Sequence, residues 1–350
     1  PAASTALSDL PYDARGVLSG LFQNGYSTGY LLACVLYRAL VPTTSHGWRS
    51  LFWFSSVPPV FIMVFRWAMP ETKHFQSMQH RRNCIAQEGE ESHRIYHGDS
   101  TRRMRTMAAF YRESSAAVKN NWALLIYMVV LMTAFNSCSH GSQDFFPTFL
   151  KSQVNLSPTQ VVVVSVVGQL GSITGGTVLG YISTFSGRRL IMLTACVFGG
   201  ALVPAYITPR SMILICTTFF EQVFVGGVWG PVPVYLMELS PSTLTTTVVG
   251  LSYQLGNLAS SGSATIQAKV GESYRLPPGS DGMERFDYGK VIAIFMGAVW
   301  GALFMLLLIG PEMTQSERDE EAEAVGQRTA LKLDKVVSSG PAESIDKSAE

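Results

Sequence analysis

Apolar residues in this chain come in long uninterrupted blocks, and that pattern admits few folds. A helix rising about 1.5 Å per residue needs roughly 20 residues to cross about 30 Å of hydrocarbon. About eight segments reach that scale: 14–40, 48–69, 122–148, 159–184, 189–207, 211–236, 243–268 and 289–310. Core helices of water-soluble domains rarely do, so the expected class is an all-α polytopic membrane protein. Composition agrees, with 47% hydrophobic and only 15% charged residues among 350.

The charges segregate between the blocks. Net charge is +1, which favours neither a nucleic-acid nor an acidic partner. The stretch from Pro70 to Lys119 carries Arg81, Arg82, Arg94, Arg102, Arg103 and Arg105 with little apolar content. Its basic excess puts it in the cytoplasm by the positive-inside rule. Parity then places the Ser186-Gly187-Arg188-Arg189 turn and the polar tail from Thr314 inside, and the 41–47 and 269–287 connections outside. The five cysteines show no paired spacing, so neither a metal site nor a disulfide framework is expected. No cofactor is called for either. No nucleophile, base and orienting group recur together, and no phosphate loop is present, which argues against an enzyme.

The chain opens at Pro1 and leads directly into an apolar block, which reads as a piece cut from a longer protein. Two spans before the basic loop and six after it resemble the last two-thirds of a twelve-helix transporter with two six-helix halves. The expected organisation is therefore residues 1–70 as the last two helices of the first half and 71–120 as a cytoplasmic central loop. Residues 121–312 form the second half, and 313–350 a disordered cytoplasmic tail that offers sites for trafficking factors.

Four short motifs point the same way. They are Asp13-Ala14-Arg15-Gly16, Trp48-Arg49 with Pro70-Glu71-Thr72, Ser186-Gly187-Arg188-Arg189, and Gly230-Pro231 through Glu238 to Pro241. In this order they resemble the helix-end motifs of the major facilitator superfamily, although the acidic residue that opens the third motif in that family is absent. Arg15, Arg188, Arg189 and Glu238 then either anchor helix ends at the interface or pair across a gate.

Late in the third block a polar run interrupts the apolar pattern. Asn136, His140, Asp144 and Thr148 are four residues apart, so each is turned about 40° from the last and together they form one slowly rotating stripe. Gln143 borders it. Ionisable groups at this depth are costly and are kept mainly where they face a bundle interior or wet cavity. Asn136, Gln143 and a protonated His140 can donate to a carboxylate, and histidine titrates near neutral pH. His140 and Asp144 are thus candidates to share a coupling proton, or else they simply bond each other to fix packing. Asp144, about 22 residues into the span, can equally be an entry residue near the outer face. Pro147 removes one helix bond and either bends the helix or ends it.

The run Asn136, Ser139, His140, Ser142, Gln143, Asp144, Thr148 satisfies every defined position of a signature that resembles the fungal Jen-type monocarboxylate:proton symporters. The resemblance implies proton-coupled uptake of lactate, pyruvate or acetate across the plasma membrane, with a small carboxylate, protons and the lipid bilayer as partners. It also implies that Gln254 and Asn257, three apart in a later span, and Ser27 and Thr28 in the first, line the path. An arginine of the part not present here would hold the substrate carboxylate. A sugar-acid or sialate-type proton symporter, or a non-transporting nutrient sensor, are the competing readings. Gly25, Gly29, Gly168, Gly171, Gly175, Gly176, Gly226 and Gly227 are expected at close helix contacts.

Overall fold

The computed structural model describes residues 12–68, 115, 119, 122–208, 213–240, 245–277 and 284–311. Residues 1–310 form one compact unit; of a second, 311–350, only Pro311 is described. The central loop expected at 71–120, apart from Ser115 and Lys119, and the tail expected at 313–350 lie outside the described residues, as does Pro70-Glu71-Thr72.

The described chain is almost wholly helical. Helices α1 (Tyr12–Leu40) and α2 (Arg49–Ala68) precede α3 (Trp122–Gln143), α4 (Phe146–Ser152), α5 (Pro158–Ser186) and α6 (Arg188–Ile207). Then come α7 (Leu214–Trp229), α8 (Val232–Leu239), α9 (Thr245–Ser260), α10 (Ser263–Gly271) and α11 (Tyr288–Ile309). Five segments are long and apolar enough to cross a bilayer by length and composition alone: Arg49–Ala68, Trp122–Ser152, Pro158–Ser186, Arg188–Ile207 and Tyr288–Ile309.

Three expected spans prove to be broken. The third stops at Gln143 and restarts at Phe146, with Pro147 in the first turn of α4, where its missing N–H costs nothing. The sixth breaks between α7 and α8 at Gly230-Pro231, and the seventh between α9 and α10 at Ser261-Gly262. Ser157 opens α5 with a capping box to Gln160 and Pro158 follows as its first residue. Gly187 joins α5 to α6 at φ 92°, a left-handed conformation that glycine takes without a Cβ penalty.

Glycines set the tightest contacts. A Cβ on Gly175 of α5 would lie 1.8 Å from the Val223 carbonyl oxygen of α7, and one on Gly20 of α1 would lie 2.3 Å from that of Gly176. Ser19 Oγ donates to the Gly230 carbonyl at 2.7 Å, and Asn24 Nδ2 donates to Thr177 Oγ1 at 2.8 Å, so α1 is fastened to the α5–α7 pair by hydrogen bonds as well. Gly25 and Gly29 make no such contact among the described residues, where a Cβ on either meets nothing within 4 Å. In contrast, α2 buries none of its residues. Among the described residues it packs chiefly on α1, and large apolar side chains from Phe52 to Trp67 face outward.

One strand pair was not anticipated. Residues Arg275–Leu276 (β1) and Arg285–Phe286 (β2) pair antiparallel between α10 and α11. The hairpin leads into Asp287, which caps α11 by accepting from the Lys290 amide at 3.2 Å and from Gln153 Nε2 at 2.9 Å. Gln153 also accepts from the Gly289 amide, tying the end of α4 to the start of α11.

Candidate functional site

The break after α3 leaves its last two turns facing a cavity of about 180 Å³, walled by α1, α3, α5, α7 and α9. Of the expected residues, Ser27, Asn136, Ser139, His140, Gln143 and Asn257 line it. They come together because Asn136, Ser139, His140 and Gln143 lie three or four apart on α3, the spacing that repeats on one helix face.

His140 is held from both sides. Its Nδ1 is 2.7 Å from Asp144 Oδ2, and its Nε2 is 2.9 Å from Asn257 Oδ1 on α9. Both ring nitrogens therefore face oxygen. An ionised carboxylate and an amide oxygen only accept, so the arrangement is satisfied when two hydrogens are shared among Nδ1, Nε2 and Asp144. Removing one leaves lone pairs opposed, unless Asn257 turns its NH₂ toward the ring. Asp144 is exposed and does not itself line the cavity; it meets His140 from just beyond the end of α3. Among the described residues, His140 is the wall residue able to carry positive charge, since neither Lys nor Arg lines the cavity.

The rest of the wall is fixed by specific bonds. Trp229 Nε1 donates to Ser139 Oγ at 2.6 Å, Ser27 and Ser172 hydroxyls meet at 2.8 Å, and Asn136 Nδ2 donates back to the Met132 carbonyl. Gln143 Nε2 donates to Gln222 Oε1 of α7 at 2.9 Å. Ser142 is fully buried behind this wall, where its carbonyl accepts from the Tyr206 hydroxyl at 2.7 Å.

Three expected residues lie elsewhere. Thr148 stands on α4, where the break has turned it out of the stripe into a separate, wider hollow of about 660 Å³ beside Lys151 and Tyr30. Thr28 is exposed, about 100° around α1 from Ser27 and outside the cavity wall. Gln254 is likewise exposed, because Tyr253 and Asn257, four apart, share the inward face of α9.

At the helix ends, Arg188 Nε lies 3.5 Å from Glu238 Oε1 with both side chains nearly excluded from solvent. Arg189 donates to the Leu308 carbonyl of α11, and Arg15 is half-buried at the start of α1.

Residues that sequence reasoning did not assign also build the region. Gln23, Asn24 and Tyr26 visibly interrupt the apolar pattern of α1 and Tyr253 stands in a polar run with Gln254 and Asn257, while Ser172 and Trp229 carry no distinguishing signal. Glu221, fully buried, carried a plain one: it is the lone carboxylate within 211–236. Among the described residues no cluster of His, Cys, Asp and Glu is arranged to hold a metal.

Comparison with known proteins matches residues 6–260 and 158–348 to the sugar (and other) transporter family. A carboxylic acid transporter protein homolog of Saccharomyces cerevisiae is 36% identical over 313 residues, 89% of this chain and 50% of that protein. A cis,cis-muconate transport protein of Acinetobacter baylyi is 22% identical over 87% of this chain and 68% of its own length. A sialic acid transporter of Escherichia coli is 23% identical over 88% and 66%, respectively. The chain thus spans about half the length of the yeast relative, and these relatives are transporters rather than enzymes. The chain is a multi-pass membrane protein that belongs to the sugar (and other) transporter family of the major facilitator superfamily, and the fungal Jen-type carboxylate permeases are the branch it resembles.

Proposed function

We propose that this chain belongs to a secondary active transporter that carries a short monocarboxylate together with protons by alternating access. The observation that carries the proposal is His140 bridged between Asp144 and Asn257 on the wall of a small polar cavity. A protonated imidazole offers charge and a donor to a carboxylate, and its proton inventory is tied to Asp144. Binding of the anion and loading of the proton are thereby linked at one side chain. The named cargoes of the relatives, a carboxylic acid, muconate and sialic acid, are all carboxylates.

In this reading α1 and α2 close the first six-helix half, and residues 121–312 form the second half, which rocks against it around the cavity. The basic central loop and the tail face the cytoplasm, and the protein works at the plasma membrane. Arg188 and Glu238 hold the inner helix ends together in one of the alternating conformations.

The test is uptake of labelled lactate by the complete transporter in proteoliposomes with an inwardly directed proton gradient. Uptake should follow the gradient and fall at least tenfold in His140→Ala and Asp144→Asn. Gradient-driven uptake that is unaltered in both variants sinks the coupling role. Competition by sialic acid or gluconate without competition by lactate excludes the monocarboxylate assignment.

A further inference from the structure

Glu221 sits on α7, one helical turn before Val225 and two before Trp229, both of which line the cavity. Its side chain has no solvent exposure. Trp300 Nε1 of α11 donates to Oε1 at 3.2 Å, while Oε2 has no hydrogen-bond partner among the described residues. The indole reaches it because Gly199 of α6 leaves room: a Cβ there would lie 2.5 Å from the Trp300 ring. A neutral donor aimed at one oxygen, with a second oxygen left bare, is a poor environment for a negative charge in a dry interior.

Among the described residues no cation acts on Glu221, the arginines of α1, Arg15 and Arg38, standing near that helix's ends. From α3 the titratable group near Glu221 is the Cys138 thiol, and from α6 it is Tyr206, whose hydroxyl hydrogen is given to the Ser142 carbonyl. Helix α5 contains no Asp, Glu, His, Lys, Arg or Cys at all. On α6, Arg188 and Arg189 are engaged with Glu238 and Leu308 at the helix start, and on α11 Lys290 lies over the Tyr274 ring at the N-terminus. Glu221 forms no ion pair among the described residues.

We propose that Glu221 is a second proton-binding site, separate from the His140–Asp144 pair, which holds its proton in the conformation described here and releases it when rearrangement of α7 against α11 admits water. The proton comes from the aqueous phase on one side and returns to that on the other, so no further reactant is required. The proposal rests on the symport reading above. It adds a carrier buried in the helix whose next two turns form the cavity wall, so that movement of α7 would couple the occupancy of the two sites.

Glu221→Gln tests it, because the amide keeps an acceptor for Trp300 but cannot release a proton. In proteoliposomes containing the complete transporter, this variant should exchange labelled for unlabelled lactate, at equal pH on both sides, within about twofold of the parent rate. It should lose at least tenfold in net uptake driven by a pH gradient. Net uptake equal to the parent overturns the proposal, as does loss of exchange and net uptake together with an unchanged melting temperature, which assigns Glu221 a positioning role. A readout independent of transport is the infrared carbonyl stretch of a protonated carboxyl, which should be present in the parent near neutral pH and absent in Glu221→Gln. If Glu221→Gln does not fold, Glu221→Asp should shift that band. A parent protein without the band, or with one that neither substitution alters, overturns the proposal. A parent that exchanges lactate but ignores the gradient sinks the symport reading instead, and is recognised in the parent alone.

Discussion

Arg188 and Glu238 are joined at 3.5 Å, although one opens α6 and the other ends α8, and neither side chain is more than 8% exposed. Such a pair contributes little net stability over an apolar replacement, but leaving one member alone strands a charge without its partner, at a cost of about 3–5 kcal/mol. Arg188→Met and Glu238→Gln should each lower the melting temperature of purified protein strongly. The double variant should recover a good part of the loss, so the two effects are not additive. Additive losses would show that the two side chains act independently.

His140 has two oxygen partners, one just past the end of its own helix and one on α9, and they are expected to differ in importance. Asp144 shares its hydrogen inventory, whereas Asn257 orients the ring from α9. Asn257→Ala should therefore slow gradient-driven lactate uptake about tenfold, the equivalent of ~1.4 kcal/mol, while leaving it responsive to pH. Asp144→Asn should abolish the response itself. Initial rates across a series of external pH values separate the two effects, and identical pH profiles for the two variants would contradict this division.

Close packing of α5 on α7 predicts a sharp contrast among glycines. Gly175→Ala must push a methyl into the Val223 carbonyl, and backbone cannot yield as a flexible side chain does. A loss at or above the usual overpacking range of about 1–3 kcal/mol is expected, seen as a lowered melting temperature or an aggregated elution profile. Gly25→Ala, with nothing described within 4 Å, should leave both nearly unchanged.

The long apolar blocks made the helices legible, and Pro147 marked one of the breaks, because proline's missing N–H is best accommodated in a first turn, whereas the break at Gly230-Pro231 fell inside the span expected at 211–236. Legibility failed where the signal was one of direction. In a bilayer the lipid-facing and protein-facing sides of a helix are both apolar, so Ser27 could not be separated from Thr28, nor Asn257 from Gln254, by hydrophobic pattern. The stripe through Thr148 failed for another reason, since four-residue spacing carries meaning only while the helix continues, and it stops at Gln143. Glu221 was visible as a lone acid, but burial and its indole partner emerge only when α7, α6 and α11 are brought together.

Trp229 offers a finer test of how rigid the cavity wall must be. Its ring packs against Phe135 and Tyr253, with centroids 5.6 and 5.9 Å away, while its N–H donates to Ser139. Trp229→Phe keeps an aromatic surface there but removes the donor and leaves Ser139 free to rotate on the α3 face that also carries His140. Hydrogen bonds between membrane helices average only about 0.6 kcal/mol, so the melting temperature should change little. The lactate concentration giving half-maximal uptake should nevertheless rise severalfold, because a wall hydroxyl loses its fixed orientation, and Ser139→Ala should reproduce much of the effect. A large drop in melting temperature with unaltered half-saturation would instead make Trp229 a packing residue with no part in shaping the cavity.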